Sequence, residues 1–305
     1  MSVCAAVLAV AFVWSANGQD SKVAIQPRTR PSPAHGSSPT LRLDLKVVLV
    51  PVTVTDALDR PVTNLSRDHF RVLEDGVEQS IRSFSLEEAP VSLGLLFDSS
   101  GSMKGRLGAS VESMRLLFQT QMPGDEYFVV QFADLPHLLG NFTPDPEEVQ
   151  RRLGTVEARG WTSLLDAMAL GVHQMKFAKN SQRVLLVLSD GNDNNSRYSE
   201  AEIRNMVIEG DVRIYAIGLA HRPRLLQQLA EETGGKVLIA ANVGELPSVV
   251  ERLSREIRSQ YVVGYSSTNP LNDGKYHKVK VELLPPPGAP PLHASWRRGY
   301  FAPPE

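Results

Sequence analysis

The sequence of 305 residues contains a single cysteine, Cys4, so the chain cannot form an internal disulfide bond. Its stability must then come from packing, for which the hydrophobic fraction of 42% is sufficient. Charge is nearly balanced as well, with a formal net charge of −2 and no long basic run. This composition gives no support to nucleic-acid binding, and we expect no nucleic-acid partner.

The usual signatures of catalysis are also missing from the sequence. The seven histidines are scattered, and none belongs to an H-E-x-x-H or similar pair of metal ligands, so each is interpreted as an ordinary polar residue. No phosphate-binding loop of the form G-x-x-x-x-G-K-[ST] occurs, so the chain is not predicted to be an ATPase.

No hydrophobic run reaches the roughly 20 residues that a transmembrane helix needs. The apolar run of residues 3–14 is shorter, and small and polar residues follow it up to Gln19. This pattern predicts a signal peptide over residues 1–19, although no Lys or Arg precedes the run. We therefore expect a protein that is secreted or lies in the periplasm or cell envelope, and a mature chain without a transmembrane anchor.

Two different segments follow the predicted signal peptide. Residues 20–40 are rich in Pro, Ser, Arg and Gln and have almost no large apolar side chain, which predicts a disordered linker. Residues 41–88 show the period-two alternation of β-strands, and residues 70–73 and 81–84 flank the hairpin signal Glu74-Asp75-Gly76. Because Asp-Gly is a common turn, the acidic pair is interpreted as part of the turn and not as catalytic.

Residues 91–259 alternate between apolar runs and segments with helical spacing. Residues 91–97 form a nearly continuous apolar run, as in a strand that is buried on both faces. Asp145 followed by Pro146, and the capping box that begins at Ser199, mark the starts of two later helices. Strands that alternate with helices predict an α/β domain with a mostly parallel, doubly wound sheet.

Residues 260–305 return to β character, so β segments bracket the α/β domain on both sides. Each segment alone is marginal, because a few strands need a partner face to be stable. We expect residues 41–88 and 260–305 to pair with each other in one small all-β module, with the α/β domain inserted between them.

Hydroxyl and carboxyl side chains gather at the ends of two predicted strands. Asp98 ends the first strand, and Ser100 and Ser102 follow it in the pattern Asp-x-Ser-x-Ser. Thr162 lies in a loop before a later helix, and Asp190 follows a later buried strand. Ligands of open α/β sheets bind at the carboxyl ends of the strands, so these five side chains are predicted to meet there. Oxygen donors of this kind suit a hard cation such as Mg²⁺, with Mn²⁺ or Ca²⁺ as alternatives.

Each of these residues has an ordinary explanation when it is taken alone. A serine after a strand often caps a helix, and Asp190 with Gly191 is a common turn sequence. Their combination at strand ends favours a metal site. Two neighbouring features stay open. Residues 191–195 form either a second cation site or a polar loop, and Trp161 either shapes a ligand surface together with Arg159 or packs in the interior.

These residues resemble the metal-ion-dependent adhesion site of the von Willebrand factor type A family. The family pattern is Asp-x-Ser-x-Ser, then a Thr in a Gly-rich loop and a later Asp-Gly, and all five positions match within residues 91–259. The resemblance implies a doubly wound, Rossmann-like sheet, and a divalent cation that binds an acidic residue of a partner protein.

The flanking segments are similar to a group of secreted bacterial proteins that are built on this domain and described mainly from Acidobacteria. The matching stretches are residues 52–56, 70–76, 261–265, 273–278 and 298–301. That group implies no firm function.

Divalent-cation-dependent protein binding is the predicted function, and the chain is not predicted to be an enzyme. No His or Cys lies in the three motifs to act as general base or nucleophile. One alternative is an accessory subunit of an envelope enzyme or export complex. A less favoured one is a metal-dependent hydrolase, in which the ion activates water.

Removal of the signal peptide is a testable expectation. Mass spectrometry of the protein recovered from cells should find an N-terminus between about residues 17 and 22, because the small residues that signal peptidases select follow the apolar run there. An intact Met1 in a cytosolic fraction would contradict the predicted export.

Overall fold

The computed structural model describes residues 47–87, 89–220, 223–269, 273–286, 288 and 290–302. The predicted signal peptide (1–19) and linker (20–40) lie outside these residues. In the part of the chain that is described, no helix has the length and apolar character needed to cross a membrane.

The described residues form fourteen strands, six α-helices and four 3₁₀ helices. The strands are β1 (Val47–Asp56), β2 (Phe70–Glu74), β3 (Val77–Gln79), β4 (Ile81–Glu87), β5 (Val91–Asp98), β6 (Glu126–Phe132), β7 (Pro136–Leu138), β8 (Gln182–Ser189), β9 (Arg213–Leu219), β10 (Val237–Ala240), β11 (Gln260–Ser266), β12 (Tyr276–Leu283), β13 (Leu292–Trp296) and β14 (Gly299–Phe301). The α-helices are α1 (Leu107–Met114), α2 (Pro146–Leu153), α3 (Leu164–Met175), α4 (Glu200–Glu209), α5 (Arg224–Thr233) and α6 (Leu246–Arg258). The 3₁₀ helices are Arg67–His69, Gly101–Met103, Arg115–Thr120 and Val243–Glu245.

A six-stranded sheet in the order β10-β9-β8-β5-β6-β7 forms the centre of the α/β part, and only its edge strand β7 runs antiparallel. Every residue of β5 is buried, because helices cover both faces of the sheet. Leu95 packs into the hydrophobic cluster that contains residues of α1, α2 and α6, whereas Leu96 packs into the one that contains residues of α3, α4 and α5. This is the doubly wound sheet that the sequence predicts.

Helix boundaries follow the local signals in most places. Asp145 accepts a hydrogen bond from the amide of Glu147 at the start of α2, and Ser199 forms the predicted capping box of α4. Val111, Met114, Leu117 and Phe118 recur at helical spacing in the sequence, but the α-helix is shorter than this pattern: α1 ends at Met114, and the 3₁₀ helix Arg115–Thr120 continues it. Such tightening is frequent at the end of an α-helix.

Two antiparallel sheets are built from the segments that flank the α/β part. Their strand orders are β13-β1-β11-β4 and β14-β12-β2-β3, so each sheet contains strands from both flanking segments. The two sheets share one hydrophobic cluster, to which Val52 and Tyr261 of the first sheet and Val72 and Val281 of the second contribute. The predicted fold class, an α/β sheet flanked by antiparallel β structure from both termini, is confirmed.

The hairpin predicted between residues 70–73 and 81–84 has a different second strand. Asp75 and Gly76 connect β2 to the short strand β3, and their φ angles of 49° and 85° are those of a tight two-residue turn. Strand β4 instead pairs with β11 in the other antiparallel sheet. Local sequence favours the turn, but the choice of partner for β4 depends on a strand that lies far away along the chain.

A buried ion pair connects the last helix to the start of the central sheet. The guanidinium of Arg258 donates two hydrogen bonds to the carboxylate of Asp125, at 2.8 and 2.6 Å. The same carboxylate accepts from the amides of Val91 and Met122 and from the hydroxyl of Tyr127. Burial pushes the pKa of Asp125 upward, but Arg258 and the two amides outweigh burial, so the pKa lies below its usual value. This pair therefore holds α6, β5 and β6 together.

Replacing Asp125 with Asn should lower the free energy of unfolding at pH 7 by about 3–5 kcal/mol, because the buried Arg258 loses its counter-charge. Urea denaturation measures this effect. Glu251→Gln is the control, because Glu251 pairs with Arg255 on the exposed face of the same helix. This control substitution should lower the free energy of unfolding by at most about 0.5 kcal/mol.

The difference in the free energy of unfolding between wild type and Asp125→Asn should depend on pH. Because the folded-state pKa of Asp125 is depressed, the stabilisation is fully present above the unfolded-state pKa of about 3.9 and is lost as the pH falls through the folded-state value. An unchanged difference between about pH 5 and pH 2 would contradict the role of the charge.

Candidate metal centre

The Asp-x-Ser-x-Ser motif forms a tight turn directly after β5. Asp98 is the last residue of that strand and is fully buried, and the amide of Ser100 donates to its Oδ1 at 2.8 Å. The short 3₁₀ helix Gly101–Met103 then brings the hydroxyl groups of Ser100 and Ser102 to 3.0 Å from each other.

Asp190 lies beside this turn because β8 is the neighbour of β5. The two strands are parallel and place Phe97 opposite Leu188, so their carboxyl ends lie at the same edge of the sheet. Ser102 Oγ donates to Asp190 Oδ1 at 2.7 Å, although the two residues are 88 positions apart in the sequence. A continuous hydrogen-bonded network therefore runs from Ser100 through Ser102 to Asp190.

The loop that contains Thr162 is fixed to both of these segments by its backbone. Gly101 donates its amide to the carbonyl oxygen of Gly160 at 2.9 Å, and the carbonyl oxygen of Thr162 accepts from the amides of Asn194 and Asn195. Thr162 is buried, and its amide donates to Asn194 Oδ1 at 2.8 Å. The five predicted ligands thus come from three loops that contact one another at one edge of the sheet.

Asp98 is held in a setting that disfavours its charge. Burial raises the pKa of this carboxyl, hydrogen bonds from Ser189 and Ser100 oppose the rise, and the negative charge of Asp190 adds to it. Ser189 Oγ donates to Asp98 Oδ2 at 2.5 Å, so Asp98 is positioned by a residue for which the sequence analysis had no role. The only signal in the sequence was the position of Ser189 at the end of a buried strand.

Arg106 is a second residue that the sequence analysis missed. Its guanidinium donates to Asp190 Oδ2 at 2.6 Å, and the carboxylate is buried whereas the arginine is partly exposed. No local pattern distinguishes Arg106 from the other arginines, because the contact depends on the pairing of β5 with β8.

The donor set fits a hard divalent cation. Two carboxylates and two hydroxyl groups converge, and Thr162 lies in a loop bonded to the same turn; all five side chains carry oxygen donors of the kind that Mg²⁺ and Ca²⁺ prefer. The mutual repulsion of Asp98 and Asp190 is a feature that a cation would relieve. The metal-binding role of these five residues stays a prediction.

The structure bears on two alternatives that the sequence left open, the loop after Asp190 and the position of Trp161. The side chains of residues 192–195 are used to hold loops: Asn194 accepts from the amide of Thr162, and Asn195 donates to the carbonyl oxygen of Asp134. This favours the polar loop over a second cation site. Trp161 is 64% exposed, which favours a surface role over packing in the interior.

A cavity of about 220 Å³ lies elsewhere, between the α/β part and the antiparallel sheets. Leu49 and Tyr276 line it from one side and Arg183 and Val207 from the other. None of the five candidate ligands belongs to its lining, so this cavity is separate from the candidate metal centre.

Comparison with known proteins identifies the α/β part. Residues 93–192 match the family model described as von Willebrand factor type A domain, and this range includes all five predicted ligands. No curated protein matches the sequence.

Solved structures show the same fold at low sequence identity. A structure described as von Willebrand factor type A from Catenulispora acidiphila is similar with a TM-score of 0.51 and 12% identity, over 84% of this chain and 72% of that one. Proximal thread matrix protein 1 from the mussel byssus, described with a zinc-occupied MIDAS motif, is similar with a TM-score of 0.50 and 17% identity, over 61% of this chain and 50% of that one.

The family match, the doubly wound sheet and the shared fold agree with one another. This chain therefore contains a von Willebrand factor type A domain.

Proposed function

We propose that this chain is a cation-dependent protein-binding module. Its ligands would be Asp98, Ser100, Ser102, Thr162 and Asp190, and the bound ion would take a carboxylate from an acidic residue of a partner protein. The observation that carries this proposal is the convergence of two carboxylates and two hydroxyls, those of Asp98, Asp190, Ser100 and Ser102, with the loop of Thr162 bonded to the same turn through its backbone.

The balance of charged and neutral donors supports binding of an outside carboxylate. Mg²⁺ prefers six oxygen ligands at about 2.1 Å and keeps some of its water, and Mn²⁺ and Ca²⁺ are the alternatives. Three of the five proposed ligands are neutral hydroxyls, so a bound ion keeps enough positive charge to attract a further anionic oxygen. The protein residues hold and orient this centre, and Ser189 keeps Asp98 in position.

Several contacts favour binding over catalysis. The hydrogen-bonded partners of the five residues, within the described part of the chain, are serine, arginine and asparagine side chains and backbone groups. No histidine or cysteine contacts this network in those residues, and the carboxylates in it are proposed ligands of the ion, so hydrolysis has no imidazole base or thiol nucleophile there. The hydrolase alternative is accordingly the weaker one.

An exposed aromatic residue next to the site supports a protein partner. Trp161 precedes Thr162, and its amide donates to Asp134 Oδ1 at 2.8 Å, which fixes the loop while the indole stays exposed. Tryptophan is enriched among residues that dominate protein–protein binding energy. Leu135, next to Asp134 in the chain, is 52% exposed and adds apolar surface.

The proposal includes the location of the protein in the cell. The predicted signal peptide and the resemblance of the flanking segments to secreted bacterial proteins favour a location outside the cytoplasm, in the periplasm or cell envelope. An accessory subunit of an envelope enzyme or export complex is the alternative that would use the same binding surface.

The proposal is tested with the purified chain and a cell-envelope extract. Wild type should bind Mg²⁺ in calorimetry and capture a partner that chelator releases, and Asp98→Ala should do neither. Thr162→Ala should weaken partner capture more than Mg²⁺ binding, because four of the oxygen donors remain. Thr155→Ala is the matched control, since Thr155 is exposed and its hydroxyl donates to the carbonyl oxygen of Arg152 at the end of α2, away from the candidate ligands.

Partner capture that is the same in chelator, or in Thr162→Ala, would mean that the partner binds elsewhere on the chain. Equal Mg²⁺ binding by wild type and Asp98→Ala would remove the metal site itself. The circular dichroism of each variant shows whether its fold is retained.

Arg106 should compete with the cation for Asp190. Its guanidinium occupies Asp190 Oδ2, so Arg106→Gln should raise the affinity for Mg²⁺ about tenfold, or about 1.4 kcal/mol. Arg115→Gln is the control, because Arg115 is exposed and pairs with Glu112. Unchanged or lower affinity in Arg106→Gln would show that Arg106 does not oppose cation binding.

A further inference from the structure

A second group of side chains that could bind a metal ion lies in the antiparallel sheets, away from the candidate metal centre. Glu74 and Asp75 come from the end of β2, His277 from β12, and Asp273 from the segment before it. On sequence alone these residues have no binding role: Glu74 and Asp75 are interpreted as part of a turn, and His277 as an ordinary polar residue. Their meeting depends on the antiparallel pairing of β2 with β12, in which Val279 lies opposite Glu74.

The side chains of Glu74, Asp75 and His277 lie close enough to share one ion. His277 Nδ1 is 2.8 Å from Asp75 Oδ2 and 3.8 Å from Glu74 Oε1. One ligand atom from each of the three residues lies within 4.8 Å of the other two. One imidazole nitrogen and two carboxylates are a common partial ligand set for Zn²⁺.

The other nitrogen of the imidazole ring is also held. His277 Nε2 lies 3.2 Å from Asp273 Oδ1. Metal-bound histidines almost always donate their second ring N–H to a carboxylate or carbonyl oxygen, which fixes the tautomer and the orientation of the ring. Asp273 is placed to do this, and Nδ1 is then left to face the two carboxylates.

Glu74 provides a second observation on this group, because its carboxylate is fully buried. Oε1 accepts hydrogen bonds from Ser267 Oγ at 2.7 Å and from Asn269 Nδ2 at 2.9 Å. Oε2 is buried and makes no hydrogen bond of ordinary length in the described part of the chain, although the buried hydroxyl of Tyr265 lies near this carboxylate. A buried carboxylate is costly, and a cation bound by it would lower that cost.

The charges of the group do not balance among its own members. Glu74, Asp75 and Asp273 carry three negative charges when ionised, and His277 supplies at most one positive charge. The ammonium of Lys275 is 3.8 Å from Asp273, but that side chain is mostly exposed. A divalent cation would supply the missing positive charge.

We propose that Glu74, Asp75 and His277 bind a divalent transition-metal ion of the Zn²⁺ class, with Asp273 as the positioning residue for the imidazole. The mixed nitrogen and oxygen donors favour such an ion over Mg²⁺ or Ca²⁺, which prefer oxygen alone. This site is separate from the candidate metal centre and does not depend on the proposed function.

The consequence of such a site is structural. His277 and Asp75 are 202 positions apart, so an ion shared by them links the segment before the von Willebrand factor type A domain to the segment after it. The sequence has no disulfide to make that link, because Cys4 is its only cysteine. A metal that binds only the folded chain adds its binding free energy to folding.

Zinc titration of the full chain tests the proposal, with Asp98→Ala as the starting protein so that the candidate metal centre does not contribute. This protein should bind one Zn²⁺ per chain, and the ion should raise its melting temperature. Adding His277→Gln should lower the Zn²⁺ affinity at least about a hundredfold, and adding Asp273→Asn about ten- to a hundredfold. His293→Gln is the matched control, since His293 is an exposed histidine of β13, and should change nothing.

Asp75→Asn keeps the experiment informative if His277→Gln does not fold. Asp75 has a positive φ of 49°, a conformation that Asn adopts readily, so this variant should fold and still lose Zn²⁺ affinity. Wild-type affinity in Asp75→Asn, or absence of binding to the Asp98→Ala protein, overturns the proposal. So does an NMR spectrum in which His277 stays doubly protonated with one equivalent of Zn²⁺, since a proton would then be the cation of this group.

Discussion

The parallel pairing of β5 with β8 is the contact on which the candidate metal centre depends. It places Phe97 opposite Leu188, so Asp98, the last residue of β5, lies beside Ser189, the last residue of β8. The hydrogen bond from Ser189 to Asp98 and the one from Ser102 to Asp190 both result from that register. A shift of one residue would turn the alternate side chains of β8 to the opposite face and separate the groups.

Contacts between residues far apart in the sequence also hold the antiparallel sheets and the ends of the α/β part in place. Strand β1 lies between β11 and β13, so a segment that precedes the α/β part is completed by two strands that follow it. Where the chain enters the α/β part, the amide of Val91 bonds to Asp125, and where it leaves, Arg258 bonds to the same carboxylate. One buried ion pair therefore fixes both ends of the inserted part.

The two proposed cation sites are both built around carboxylates that lie close together. At the sheet edge, Asp98 and Asp190 repel each other, and the partly exposed Arg106 forms an ion pair with Asp190. In the antiparallel sheets, Glu74 and Asp75 face His277. The two groups differ in donor type: hydroxyl oxygens accompany the first, and an imidazole accompanies the second. That difference is why we expect a hard cation at one and a softer ion at the other.

Local sequence determined the elements and the residue types at the strand ends. The apolar run of β5, the caps at Asp145 and Ser199 and the Asp-x-Ser-x-Ser motif are all readable from neighbours in the sequence, because periodicity and capping act over a few residues. The doubly wound sheet followed from the alternation of strands and helices, and the position of Asp98 at its edge followed from that.

Only the tertiary structure decided which distant segments meet. It paired β4 with β11 and not with β2, placed Arg106 on Asp190, and brought His277, interpreted from sequence as an ordinary polar residue, to Asp75. Local periodicity cannot specify such contacts, because a strand with an apolar face fits many partners until register and packing select one.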